Sequence, residues 1–301
     1  MSQVAQEKTQ EKEVYLSAYQ DLVANAADNA PAWLSTLREK AIARFRELAF
    51  PTTRNEEWKY TNVTPIVRAN FKPAVKDDLN PIDAERFFLP ETIQSRLIFV
   101  NGHYTPELSS VAALPAGVTA CNFSRCAPEI LHEHLATIAD YQSETFTALN
   151  TAFITDGALI HIPKGKLVEA PIQLVFISTS SEPFVSHPRI LIVAESGAVA
   201  TVIESYVTIH EGVYFTNSVT EVIARQGATI QHYRLQRESD SAFHIATTQV
   251  HQERDSNYTS YAISLGAELS RHNLNVKLAD ENIESTIDGL YVVNGKQHVD
   301  N

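Results

Sequence analysis

Short runs of alternating apolar and polar residues, punctuated by turn signals and never interrupted by a long helical pattern, fill the second half of this 301-residue chain. From about residue 153 to the end, Val, Ile, Thr and Tyr become frequent, which is the composition of strands. After Gly197, the residues Val199, Thr201, Ile203, Ser205 and Val207 share one strand face, with Ala198, Ala200, Val202, Glu204 and Tyr206 on the other. After Gly227 the pattern returns, with Thr229, Gln231, Tyr233 and Leu235 opposite Ala228, Ile230, His232 and Arg234. A Gly-Ala pair opens a strand at Gly157-Ala158, Gly197-Ala198, Gly227-Ala228 and Gly266-Ala267, at offsets of 40, 30 and 39 residues. Glycine permits a sharp corner, and a small alanine lets backbones stack closely. Irregular repeats of short strands fit a β-solenoid or a β-sandwich, and the near-common step of about ten residues favours the solenoid.

The front of the chain reads differently. Over residues 31–48, Leu34, Leu37, Ala41, Phe45 and Leu48 recur at three- and four-residue steps, the spacing of one helix face. Pro31 suits the first turn and Asn29 an N-cap. Residues 14–26 carry a weaker version of the same pattern, and Pro51 ends the second helix. Residues 51–95 contain Pro51, Pro65, Pro73, Pro81 and Pro90 and read as an irregular tether. Arg96-Leu97-Ile98-Phe99-Val100 is strand-like, and Asn101-Gly102 signals a turn. Ile130, Leu131, Leu135 and Ile138 keep helical spacing, so a further helical stretch is expected near residues 128–150.

Composition narrows the functional classes. The hydrophobic share of 44% is that of a globular chain with a sizeable core. A formal charge of −12 repels phosphates, which argues against nucleic acid or an anionic membrane as a main partner. No apolar run approaches the ~20 residues of a bilayer span. The first residues, with Glu7, Glu11 and Glu13, resemble neither a secretory signal nor a transit peptide, so a cytoplasmic location is expected. Cys121 and Cys126 are too few for a disulfide framework or a four-thiolate site, and they read as two reduced thiols.

Candidate constellations are weak. His132 and His134 lie two residues apart, which on a helix points them to different faces, so they read as ordinary surface or capping histidines. His244 and His251 have opposite parity in one strand, whereas His298 and Asp300 share parity and form a candidate ligand pair. Asp240, Asp255, Asp280 and Asp288 are scattered near turns, and Glu195, Glu204 and Glu221 are no better clustered, which suits a solvated face better than a carboxylate pair. In the segment beginning at Pro51, Trp58 and Tyr60 read as anchors pinning it to the body, with Arg54 and Glu57 satisfying local backbone groups; ligand stacking is the alternative. There is no Gly-x-Ser-x-Gly, no phosphate-cradling loop and no His-Glu-x-x-His. No residue is therefore assigned as catalytic, cofactor-binding or metal-binding.

Four segments resemble the SufD branch of the SufB/SufD family of iron–sulfur cluster assembly proteins. They are Arg54-Asn55-Glu56-Glu57-Trp58-Lys59-Tyr60-Thr61, Ser186-His187-Pro188-Arg189, Gln231-His232-Tyr233-Arg234-Leu235-Gln236-Arg237-Glu238-Ser239, and Leu290-Tyr291-Val292-Val293-Asn294-Gly295-Lys296-Gln297-His298-Val299-Asp300-Asn301. The resemblance runs from about residue 15 to the end. It implies a mainly β fold, a right-handed parallel β-helix core over residues 96–301 behind a helical, Pro-rich region over residues 1–95. It further implies a non-catalytic subunit of the SufBCD complex that pairs with SufB and contacts the SufC ATPase, with a transient Fe–S cluster on the complex and no cofactor assigned to this chain. Family members continue beyond the position of Asn301 through the last β-helix turns, a histidine- and cysteine-bearing segment and a C-terminal helical region. A β-helix stopped in mid-stack leaves an unpaired rung, so residues 283–301 are expected to associate with other chains or to be poorly ordered. The rival readings are a stand-alone β-helix enzyme acting on polysaccharide and a His-ligated, cupin-like metal protein.

Overall fold

Helices form where apolar residues recur every three or four positions, and strands form where polarity alternates. The structure is a computed structural model that describes residues 11–26, 30–69, 71–77, 79–179 and 182–301. The helices are α1 (Glu13–Ala26), α2 (Ala32–Glu47), α3 (Thr64–Arg68), α4 (Pro81–Glu85), α5 (Pro128–His134) and α6 (Thr145–Ala152). Pro31 itself occupies the cap position of α2, and Asn29 lies outside the described residues. The helical stretch expected near residues 128–150 is two helices, because Leu135 adopts extended backbone and Ala136 a positive φ.

The strands are β1 (Lys72–Pro73), β2 (Arg96–Val100), β3 (His103–Tyr104), β4 (Thr119–Asn122), β5 (Ala158–Ile162), β6 (Ile172–Ser178), β7 (Phe184–Ser186) and β8 (Arg189–Ala194). They continue with β9 (Val199–Thr208), β10 (Tyr214–Ala224), β11 (Thr229–Arg237), β12 (Phe243–Gln252), β13 (Asn257–Ser264), β14 (Leu269–Leu278), β15 (Glu284–Tyr291) and β16 (His298–Asp300). The expected turn at Asn101-Gly102 joins β2 and β3 as a hairpin, both turn residues having positive φ. One sheet runs β16-β14-β12-β10-β8-β5-β4 and the other β15-β13-β11-β9-β6-β2-β3. From β5 onward the chain alternates between them, and each strand pairs in parallel with the strand one turn away. This is a parallel β-solenoid with two strands per turn.

The repeat is longer than the Gly-Ala offsets suggested. Register partners lie 26 residues apart at Phe243 and Leu269 and 32 apart at Ala158 and Ile190, so a step of ten is not the unit. Gly157 and Gly266 precede strands of the first sheet, whereas Gly197 and Gly227 precede strands of the second. The true column is the corner leading into the second sheet, where Gly165, Gly197, Gly227, Asp255 and Asn282 all take positive φ, between 56° and 69°. Successive members hand on the same hydrogen bond, Gly197 N to Gln226 O and Gly227 N to Arg254 O, each at 2.9 Å.

The first turns have a dry interior, packed with Ile160, Ile172, Leu174, Phe176, Ile190 and Ile192. On the outer face of the first sheet, α1, α2 and α6 bury Phe45, Phe146, Phe153 and Phe215. Within residues 283–301, β15 lies on β13 and β16 on β14, and every β15 side chain is exposed. Among the described residues no helix is long and apolar enough to cross a membrane.

Candidate functional site in the solenoid interior

Strand alternation carries a polar set into the solenoid from β9 onward. Glu204 and Tyr206 on β9, His232, Arg234 and Gln236 on β11, Thr216, Ser218 and Thr220 on β10 and His244 on β12 are all buried. Glu204 is fully buried, and its carboxylate accepts from Thr220 Oγ1 at 2.7 Å, Tyr206 hydroxyl at 2.8 Å and His232 Nε2 at 2.9 Å. The other ring nitrogen of His232 meets the Tyr258 hydroxyl at 2.9 Å. Burial pushes the Glu204 carboxyl up, but His232 and the three donors outweigh it and hold the group below its ordinary value.

A second cluster centres on Glu238, which accepts from Thr216 Oγ1 at 2.6 Å, Gln236 Nε2 at 3.1 Å and His244 Nδ1. Arg234 Nη2 contacts His244 Nε2, and a guanidinium can only donate. Nε2 is therefore the acceptor, Nδ1 carries the proton, and the ring is a neutral imidazole. Burial and then Arg234 hold His244 below its usual value, in agreement with that tautomer. Burial raises Glu238, while His244, Thr216 and Gln236 bring it to a net lowering. The Tyr206 ring joins the clusters, 5.2 Å from the Arg234 guanidinium and edge-on to His244 at 4.8 Å. Deeper along β14, His272 meets Thr248 Oγ1 at 2.9 Å and is held well below its usual value by burial, then by Arg234, His232 and His244. Arg234 Nε and Nη1 have no hydrogen-bond partner among the described residues.

A separate polar knot ties the helical layer to the outer face of the first sheet. Arg189 pairs with Glu221 with both side chains fully buried, and also donates to Asn150 Oδ1 at 3.1 Å and Thr151 Oγ1 at 3.2 Å. Glu221 accepts the backbone N–H groups of Ala136, Ile138 and Ala139. His187 stacks on Phe153 at 5.0 Å, and burial pushes it down to about 3. A third contact closes the front of the molecule: Arg271 lies 4.2 Å over the Trp58 ring and pairs with Asp300, which also holds Thr61.

These positions correct several sequence expectations. Glu204 and Glu221 are not on a solvated face; parity turns one inward and the other under the loop at residues 136–139, and dense donors compensate the burial. Glu195 is half-buried, while Asp240, Asp255, Asp280 and Asp288 are exposed. Cys121 and Cys126 are not free thiols but a disulfide, because β4 and the following turn bring their Cα atoms to 5.8 Å. Trp58 is an anchor as expected, whereas Tyr60 is 75% exposed and Arg54 and Glu57 point outward. It is Asn55 Oδ1 that accepts the local backbone N–H of Thr52.

The remaining candidate residues fall as follows. His132 and His134 diverge on α5, the first exposed against Trp33 and the second buried. His244 and His251 lie on one strand with only His244 fully buried. Asp300 is committed to Arg271 and Thr61 rather than joined with His298 in a ligand pair. Among the described residues no three His, Cys, Asp or Glu side chains are arranged to hold a metal ion. The residues overlooked were His232, Arg234 and Glu238. Their signal was present, since His232 and Arg234 share strand parity with Ala228 and Ile230.

Two family models match the chain in order. Residues 9–174 match the SufBD protein N-terminal region, and residues 176–301 match the SufBD core domain of the SUF system for FeS cluster assembly. The iron-sulfur cluster assembly SufBD family protein slr0076 of Synechocystis is 35% identical over 95% of this chain and 65% of its own length. Protein ABCI7, chloroplastic, of Arabidopsis thaliana is 27% identical over 84% of the chain and 54% of its own length. The iron-sulfur cluster assembly protein SufD of Escherichia coli is 27% identical over 84% and 58%. The chain thus spans between about half and two thirds of the length of these relatives.

Proposed function

The chain belongs to the SufBD family, and from that premise we propose that it is a non-catalytic subunit of an iron–sulfur cluster assembly complex, pairing with SufB and contacting the SufC ATPase. Membership supports a role in Fe–S cluster assembly, and the observation that carries the reading is the succession of the two family models across nearly the whole chain. The cluster is cargo, borne transiently by the complex. ATP hydrolysis belongs to SufC in this reading, which accords with a sequence that has no phosphate-cradling loop. A cytoplasmic location is part of the same proposal.

The residues support a scaffold role in physical terms. Buried carboxylates saturated with donors resist movement, so the interior serves to hold a rigid frame rather than to turn over substrate. The test is co-purification of the tagged chain, expressed with its host's SufB and SufC, beside a tagged longer reading frame. Retention of both partners by either form is the expected outcome. Loss of both partners from both forms overturns the proposal.

A further inference from the structure

We propose that Cys121 and Cys126 form a reversible thiol–disulfide exchange site that accepts electrons from dithiols. The bond joins edge strand β4 to the turn after it and closes a loop of only six residues. So short a loop removes little chain entropy, and the bridge is a weak staple. The loop is also held without it. Phe123 N donates to Gly157 O at 2.9 Å, and Asn122 Nδ2 donates to Asp156 Oδ2 at 2.7 Å and Ser124 Oγ at 2.6 Å. Strand β4 keeps its ladder with β5, where Cys121 faces Leu159.

The reduced form has a place ready for it. Cys126 Sγ lies 3.1 Å from Asn122 O, an acceptor for the hydrogen of a free thiol. Both cysteines are half-buried rather than sealed. Cys126 borders an open cavity of about 480 Å³, lined also by Trp33, Leu34 and Phe123, through which a thiolate reaches it from solvent. The exposed Arg125, one residue before Cys126, adds the positive charge that favours thiolate.

The step balances. A thiolate of the dithiol attacks Cys126 Sγ, the S–S bond breaks, a mixed disulfide forms, and Cys121 leaves as a thiolate that takes a proton. The second thiolate of the dithiol then attacks the mixed disulfide, closes the dithiol into its own disulfide, and frees Cys126, which takes a second proton. Two electrons and two protons pass from the dithiol to the pair.

The experiment treats the intact chain with dithiothreitol, then with oxidised glutathione, and counts alkylated thiols by mass. Two thiols are expected to appear together and disappear together, with the far-ultraviolet dichroism unchanged. Variants Cys121→Ser and Cys126→Ser each leave one thiol. Cys126 is expected to react with an aromatic disulfide roughly tenfold faster than Cys121, because it borders the cavity. Thiols that appear only on unfolding, loss of structure on reduction, or two cysteines that stay reduced under oxidised glutathione overturn the site. Equal rates in the two variants overturn the assignment of Cys126 as the attacked sulfur.

Discussion

The early and late turns of this solenoid share one backbone and an apolar core, and differ in the polar column that the late turns add to the interior. Along a single inward column of the second sheet, Leu174 on β6 stands next to Glu204 on β9, which stands next to Arg234 on β11 and then Ala262 on β13. The first position belongs to a dry core of Ile, Leu and Phe. The next two carry opposite charges, buried almost completely. The stacked rings of Phe99, Phe176 and Tyr206, each 5.1 Å from the next, mark the border. The ladder and the corner column continue through both regions, so interior chemistry does not set the repeat. What changes is the type of cohesion. Dispersion and desolvation hold the dry end, and donor saturation holds the polar end.

That contrast is broken most sharply at Glu204. Replacing it with Ala strands His232, Thr220 and Tyr206, and the loss of one partner in a buried charged network costs about 4 kcal/mol. Urea unfolding of Glu204→Ala measures this. A five-position apolar set (Glu204→Leu, Tyr206→Phe, Thr220→Val, His232→Leu, Tyr258→Phe) is expected to be more stable than that single variant, because it removes the carboxylate together with the donors that converge on it. A five-position variant less stable than Glu204→Ala would show that the polar end is needed for stability itself. Leu174→Ala, one column position away, should cost about 3 kcal/mol through lost contacts and a cavity.

Acid separates the two regions next. His244 and His272, on β12 and β14, are held neutral when folded, so between their folded values and the ordinary 6.5 the unfolded chain binds more protons. Stability therefore falls as pH drops below about 6.5, by at most about 1.4 kcal/mol per unit for each histidine. Glu204 and Glu238 are lowered, so their contribution stands above the ordinary carboxylate value and is lost as pH falls through their folded values. Both effects weaken the fold in acid. Hydrogen exchange at pH 5 against pH 7.5 should show β10–β14 opening before β5, β6 and β8. Equal loss in all of these strands would contradict the division, and His272→Gln should flatten the pH dependence.

The solenoid was legible because alternation and glycine corners are local, and the Glu-Trp-Lys-Tyr segment gave the family. Positions were harder. The correct faces of β9 and β11 were readable, yet Glu204 reads as a solvent residue until Thr220, Tyr206 and His232 are known to converge on it from two sheets. Glu221 is hidden by a loop some 80 residues earlier, a contact that no periodicity reveals. The disulfide was missed because spacing says nothing of a turn that folds back within six residues.

The smallest effect tests whether the corner, common to both regions, carries the repeat. Gly227 has φ +69°, and a Cβ there would meet Gly197 at 3.9 Å, an ordinary contact. Gly227→Ala therefore pays only for the left-handed backbone, about 1 kcal/mol. At Asp255 the same corner is already occupied by a side chain at φ 60°, bonded to Asn282 Nδ2 at 3.1 Å. Asp255→Gly relieves backbone strain but frees the unfolded chain and removes that bond, so the net change should lie within about 0.5 kcal/mol. Thermal midpoints of the two variants decide the matter. A loss well above 3 kcal/mol at Gly227 would mean that the corner transmits strain along the column, and the two regions would then be mechanically coupled through their shared backbone rather than independent in their interiors.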